Sequence, residues 1–152
     1  MATRSAIAVQ TPHGFRAVYC HWDGYPSHHL PILSGHYPTA KAAAALIRPG
    51  DISALRTEEI WGSDYQRDDD GRAIYDQPRL PRREAQPLYY RERGELNVGP
   101  RSFANVGELT RWADGCGCEH VYTYRPGSGW EHRELAHEIA DAIAPGCDRS
   151  QW

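Results

Sequence analysis

The chain has 152 residues, a formal net charge of −3 at neutral pH and a pI near 6.2. That length suits one domain, expected over 1–152, with enough buried surface to need no disulfide, metal or other cofactor. The acidic balance argues against nucleic acid as a partner, because a phosphate-neutralising surface needs excess Lys and Arg. No run approaches the ~18 apolar residues of a membrane span, and Met1-Ala2-Thr3-Arg4-Ser5 lacks the apolar region of a signal peptide. A cytoplasmic setting with Cys20, Cys116, Cys118 and Cys147 reduced is therefore expected.

Ser5–Gln10 and Phe15–Trp22 flank the turn residues Thr11-Pro12-His13-Gly14 and predict a β-hairpin. Asp23-Gly24-Tyr25-Pro26 ends the second strand. Ser27 is placed to cap a short helix through Leu30, Ile32 and Leu33, with Pro31 tolerable only in its first turn. Thr39 is placed to cap an alanine-rich helix from Ala40 to Arg48, stopped by Pro49-Gly50. Asp51–Leu55 reads as a turn that tucks Ile52 and Leu55 onto the core.

Residues 62–87 form a long, apolar-poor, proline-punctuated insertion, expected to be mobile in part, with a hairpin possible at Asp70-Gly71. Leu88–Arg91 reads as a strand. Ser102 is a candidate cap for a helix whose stripe is Val106, Leu109, Trp112 and Ala113. Cys118–Tyr124 reads as a strand, and Trp130-Glu131-His132 returns after Pro126-Gly127-Ser128-Gly129. A last helix carries Leu135, Ala136, Ile139, Ala140 and Ile143. The fold class that follows is α+β: an antiparallel or mixed sheet of about four to six strands, with helices packed mainly on one face.

The densest chemistry lies between Cys20 and Tyr37. His21, Asp23 and His36 are the candidate catalytic residues, as a base with an orienting carboxylate and an acid. The same three suit zinc or manganese as ligands. Trp22, Tyr25 and Tyr37, with Arg4, Arg91 and Arg93, are candidate ligand-binding residues, because aromatic planes and guanidinium forks clamp a nucleotide or a peptide. Arg91 and Arg93, alternating on a strand, would share a face and bind an anion. Against these stands a structural reading, in which the aromatics pack a corner and the histidines bond locally. Cys116-Gly117-Cys118 with His120, joined by Cys20 or Cys147, is a weaker zinc candidate. Phosphate-binding glycine loops, Gly-x-Ser-x-Gly elbows and His-Glu-x-x-His motifs do not occur in the sequence.

Three segments together resemble a group of small uncharacterised proteins of bacteriophages and prophages. They are Arg4-Ser5-Ala6-Ile7, Cys20-His21-Trp22-Asp23-Gly24-Tyr25-Pro26 and Leu33-Ser34-Gly35-His36-Tyr37. Tyr89–Glu95 and Glu119-His120-Val121-Tyr122 are similar to further elements of that group, with Glu92 where the group has aspartate. The resemblance implies a setting rather than a reaction: a phage accessory protein in the bacterial cytoplasm, binding a host or defence protein or a small nucleotide-like ligand, with a homo-oligomer as a further candidate assembly. The alternative expectation is a small hydrolase or phosphodiesterase-type enzyme using His21, Asp23 and His36, with or without metal.

Overall fold

The computed structural model describes residues 2–56, 66–77 and 87–135. The opening hairpin forms as the sequence predicts: β1 (Ser5–Thr11) pairs antiparallel with β2 (Gly14–Trp22), with Ser5 opposite Cys20 and Thr11 opposite Gly14. Gly14 is required at its position. Its φ is +138°, and a Cβ there would lie 2.1 Å from the Phe103 carbonyl oxygen.

On its other edge β1 pairs in parallel with β8 (His120–Arg125), placing Ser5 beside His120. β8 then turns into β9 (Gly129–Glu134). On the far side of β2 lies β3 (Ile52–Ala54), parallel to it, followed by β6 (Leu88–Tyr89). The order is β6-β3-β2-β1-β8-β9, and β7 (Arg101–Phe103) makes a seventh strand along the Phe15–Ala17 end of β2. The sheet is thus mixed and the fold α+β, as expected.

β1 is buried on both faces, so it reads as a near-continuous apolar run. Its alternation separates two cores. Ile7, Val9, Val18, Cys20, Tyr122 and Tyr124 face α1 (Pro26–His36) and α2 (Ala40–Ile47). Ala6, Ala8, Ala17, Tyr19 and Val121 face α3 (Val106–Gly115). The small alanines on the second face let α3 lie close. Two of the three described helices therefore share one face.

Several local readings change. Tyr25, not Ser27, is the N-cap of α1, with Pro26 in the first turn. Pro31 lies inside that helix, where its ring costs a backbone hydrogen bond on an exposed side of the helix. Asp51–Leu55 supplies a strand rather than only a turn. Leu88–Arg91 yields two strand residues and then a 3-10 helix, Tyr90–Arg93. Asn105, not Ser102, caps α3 by accepting the Glu108 N–H at 2.9 Å. The Asp70-Gly71 hairpin forms between β4 (Gln66–Arg67) and β5 (Ala73–Ile74), with Gly71 at φ +80°. The rest of the 62–87 insertion and the expected last helix beyond Leu135 lie outside the described residues.

Because β3 and β7 share one side of β2, the sheet is interrupted between them. Asp51, fully buried, bridges that interruption. Its Oδ1 accepts the Tyr19 N–H at 2.8 Å, and its carboxylate takes Arg101 Nη1 at 3.0 and 3.1 Å. The Arg101 guanidinium in turn lies over the Trp112 ring of α3 at 5.4 Å. Asp51→Ala should cost about 3 kcal/mol in urea unfolding, below the upper end for buried pairs because Arg101 keeps part of its hydration. Asp51→Asn, which retains an acceptor for Tyr19, should lose about half as much.

Candidate functional site

The β2–α1 corner, expected to carry the chemistry, divides into an exposed part and an inner part. Asp23 adopts a left-handed backbone (φ +56°) and turns the chain sharply out of the strand. Gly24 then fits beneath the N-terminal arm: its N–H donates to the Thr3 carbonyl at 2.8 Å. A Cβ at Gly24 would lie 2.7 Å from both the Thr3 oxygen and Ser5 Cβ, so only glycine fits. The Gly24 carbonyl accepts the Tyr122 hydroxyl at 2.5 Å, tying β8 to the start of α1.

On the outside of this corner Trp22 is 45% exposed and Tyr25 41% exposed, with exposed Asp23 between them. Trp22 is steadied by His21, whose ring meets it edge-on at 4.7 Å between centroids. Tyr25 is met the same way by His28 at 5.8 Å.

His21 itself is buried on the α3 face and shares a 2.7 Å hydrogen bond between its Nδ1 and the Tyr19 hydroxyl. His36 is the last residue of α1 and exposed. Eight residues of helix put it ~12 Å along the axis from His28, and α1 covers the sheet face opposite to His21. The three candidate catalytic residues are therefore not brought together. Among the described residues no group of three or more His, Cys, Asp or Glu side chains is disposed to hold a metal ion.

The candidate ligand-binding residues are dispersed as well. Tyr37 follows α1, half-buried, and its carbonyl accepts Trp130 Nε1 at 2.7 Å. Arg4 packs its guanidinium over Gly117 on the turn before β8. Arg91 and Arg93 are exposed on the 3-10 helix, where residues two apart diverge instead of sharing a strand face. Arg93 lies over the Tyr90 ring at 5.3 Å. Of the candidate aromatics, Trp22 at the end of β2 and Tyr25 at the start of α1 are the exposed ones.

The inner part holds what the sequence reading missed: the buried His29 and the partly exposed His28, His120 and His132, grouped near Tyr122. His28 Nδ1 and His29 Nδ1 are 3.0 Å apart, and His29 Nε2 is 3.1 Å from the Ser5 hydroxyl. His120 Nδ1 and His132 Nε2 are 2.8 Å apart. The His29 and His132 rings lie 5.0 and 5.1 Å from the Tyr122 ring. His28 and His29 come from the first turns of α1, His120 from β8 and His132 from β9. The hairpin register shows how the last two meet: His132 sits opposite Tyr122, and His120 opposite Glu134, on one face.

Burial shapes this cluster's chemistry. His29, with no exposed surface, has its pKa lowered to about 3, first by burial and then by His28 and His120, so it is neutral. Burial also raises the Tyr122 hydroxyl well above its usual range and pushes the Cys20 thiol up to about 12. Ser5, His29 and His28 follow one another in the order of a nucleophile, a base and an orienting group. Ser5, however, is completely buried beneath Gly24, which leaves no route for a substrate to its hydroxyl.

The cysteines are not equivalent. Cys20 and Cys118 are buried and not part of a disulfide. Cys116 is disulfide-bonded, which corrects the expectation that all four thiols are reduced and removes it from a Cys116–Cys118–His120 zinc set. Cys147 lies outside the described residues.

His29 should leave a signature in stability. Its folded pKa lies below the unfolded value of ~6.5, so as pH falls from ~6.5 towards ~3 the unfolded chain gains a proton that the folded chain refuses. Stability is retained above that window and lost within it at about 1.4 kcal/mol per pH unit. His29→Gln should flatten the slope of unfolding free energy between pH 6 and 4 by that amount relative to the parent chain. Equal slopes in urea titrations would show that His29 is charged when folded.

Comparison with known proteins gives no match to a family model, a curated protein or a solved structure.

Proposed function

We propose that this protein is a phage-type accessory protein that acts by binding a host or defence protein, with the Trp22–Asp23–Tyr25 corner as its contact surface. The observation that carries the reading is the exposure of two large aromatic residues on a corner whose backbone is held by hydrogen bonds with Thr3 and Tyr122. Tryptophan and tyrosine are the residues most enriched among binding hot spots, and rigid presentation reduces the entropy lost on docking.

A small-molecule pocket is supported less well. One cavity of about 210 Å³ lies between α3 and the β8–β9 hairpin, and another of about 270 Å³ between α2 and the β1–β2 hairpin. Neither is lined by Trp22 or Tyr25. The hydrolase alternative loses its geometric basis, because His21, Asp23 and His36 do not converge. The phage setting is supported by the resemblance in the first forty residues.

The test is capture of a host protein by the full chain. Trp22→Ala and Tyr25→Ala should each weaken the interaction about 30-fold, or roughly 2 kcal/mol. Melting temperature should hold within a few degrees, since both residues leave nearly half of their surface in water. Undiminished capture by the double variant, or a melting shift on adding a nucleotide that these changes leave intact, would remove the proposal.

A further inference from the structure

The two ends of the main sheet differ. At one end β6 is two residues long, and its pairing with β3 shifts register between Ile52 and Ala54. At the other end β9 runs for six residues in unbroken register with β8, and among the described residues no strand lies on its far side. Short strands, bulges, prolines and lysines blunt a sheet edge against pairing with another chain. The β9 span Gly129–Glu134 carries none of these.

The ladder decides which backbone groups this edge offers. The Leu135 N–H donates to the Glu119 carbonyl at 2.8 Å. Direction alternates along an antiparallel strand, so Glu131 and Arg133 also turn their backbone groups towards β8. Trp130, His132 and Glu134 turn theirs outward. Side chains alternate as well. Glu131 and Arg133 lie on the α3 face, where Arg133 donates to the Thr110 hydroxyl, and both are exposed.

We propose that β9 is the interface of a homodimer, in which two copies of the chain pair antiparallel about a two-fold axis at His132. In that register His132 faces His132 of the partner subunit, and Trp130 faces Glu134 of the partner subunit. The outward N–H and C=O groups of all three residues are then paired. Glu131 falls opposite Arg133 of the partner subunit, and symmetry repeats that ion pair. An axis one residue away, at Glu131 or at Arg133, sets like charges against each other. Charge therefore selects a single register, and the strand is complementary to its own copy in it. Docking at Trp22 and Tyr25 is not needed for this pairing.

One strand a side buries less than a standard interface, so the full chain should dimerise with a Kd of about 10–100 μM. Sedimentation velocity over a concentration series measures it. Arg133→Glu sets carboxylate against carboxylate and should weaken dimerisation about 30-fold, and Glu131→Arg combined with Arg133→Glu should restore it to within about threefold of the parent chain. Amide hydrogen exchange followed by NMR gives a reading that needs no variant. The Trp130, His132 and Glu134 amides should gain protection as concentration rises, while Glu131 and Arg133 are protected throughout. A chain still monomeric at about 1 mM, a folded charge-swapped variant that stays monomeric, or dimerisation that leaves those three amides unchanged overturns the proposal. Full protection of the three amides in the dilute monomer also overturns it, because the edge is then covered by the chain itself. Should the charge-swapped variant not fold, the exchange pattern of the parent chain decides alone. Trp22→Ala and Tyr25→Ala should leave the dimer unchanged, which keeps this test separate from that of docking.

Discussion

The hydrogen bond from the Tyr122 hydroxyl to the Gly24 carbonyl determines where the first helix begins, and the rest of the site follows from it. It joins a strand near the end of the described chain to a turn near its start. Because β8 lies beside β1 in parallel, Tyr122 reaches that turn only if the register puts it next to Ile7. Gly24 must then sit close enough to the Thr3 carbonyl and the Ser5 side chain to exclude any side chain of its own. One hydroxyl, one glycine and one strand register thus place His28 and His29 over the sheet and leave Trp22 and Tyr25 outside it.

The same arrangement explains why so polar a residue as His29 can be buried. A buried ring nitrogen without a partner costs about 1–3 kcal/mol. His29 meets His28 at one ring nitrogen and Ser5 at the other, and burial keeps its ring neutral. At the opposite side of β2, Asp51 and Arg101 solve a related problem with a formal ion pair, where partial exposure of the arginine makes charge affordable.

Much of the architecture was legible from local chemistry. The Thr11–Gly14 turn, the alanine helix with its Thr39 cap, the Asp70-Gly71 hairpin and the apolar stripe of α3 are short-range features, and they formed where residue type placed them. What failed was pairing over distance. A strand of three residues such as β3 or β7 has too little alternation to announce itself, and its existence depends on a neighbour already in the sheet. The candidate site suffered from the same bias. His21, Asp23 and His36 were grouped because they are near in sequence. Yet strand alternation turns His21 towards α3, while α1 carries His36 to its far end on the other face. His120 and His132 were within reach of the hairpin register around Gly127-Ser128-Gly129. Their meeting with His28 and His29 depends on the parallel β1–β8 pairing, for which the sequence carries no local signal.

The division between a sealed interior and two exposed rings is itself informative. Nothing in the packing requires Trp22 or Tyr25 to be aromatic: each gives up nearly half of its surface to water, so most of what a large ring gains by burial is forgone. A corner held by Gly24, Thr3 and Tyr122 meanwhile spends close fit and a left-handed aspartate on keeping those rings in place. Structural economy alone would put small polar residues at such a turn. Rigid backbone beneath solvated aromatic surface is what a docking site requires, because the order needed for binding is then already present before a partner arrives.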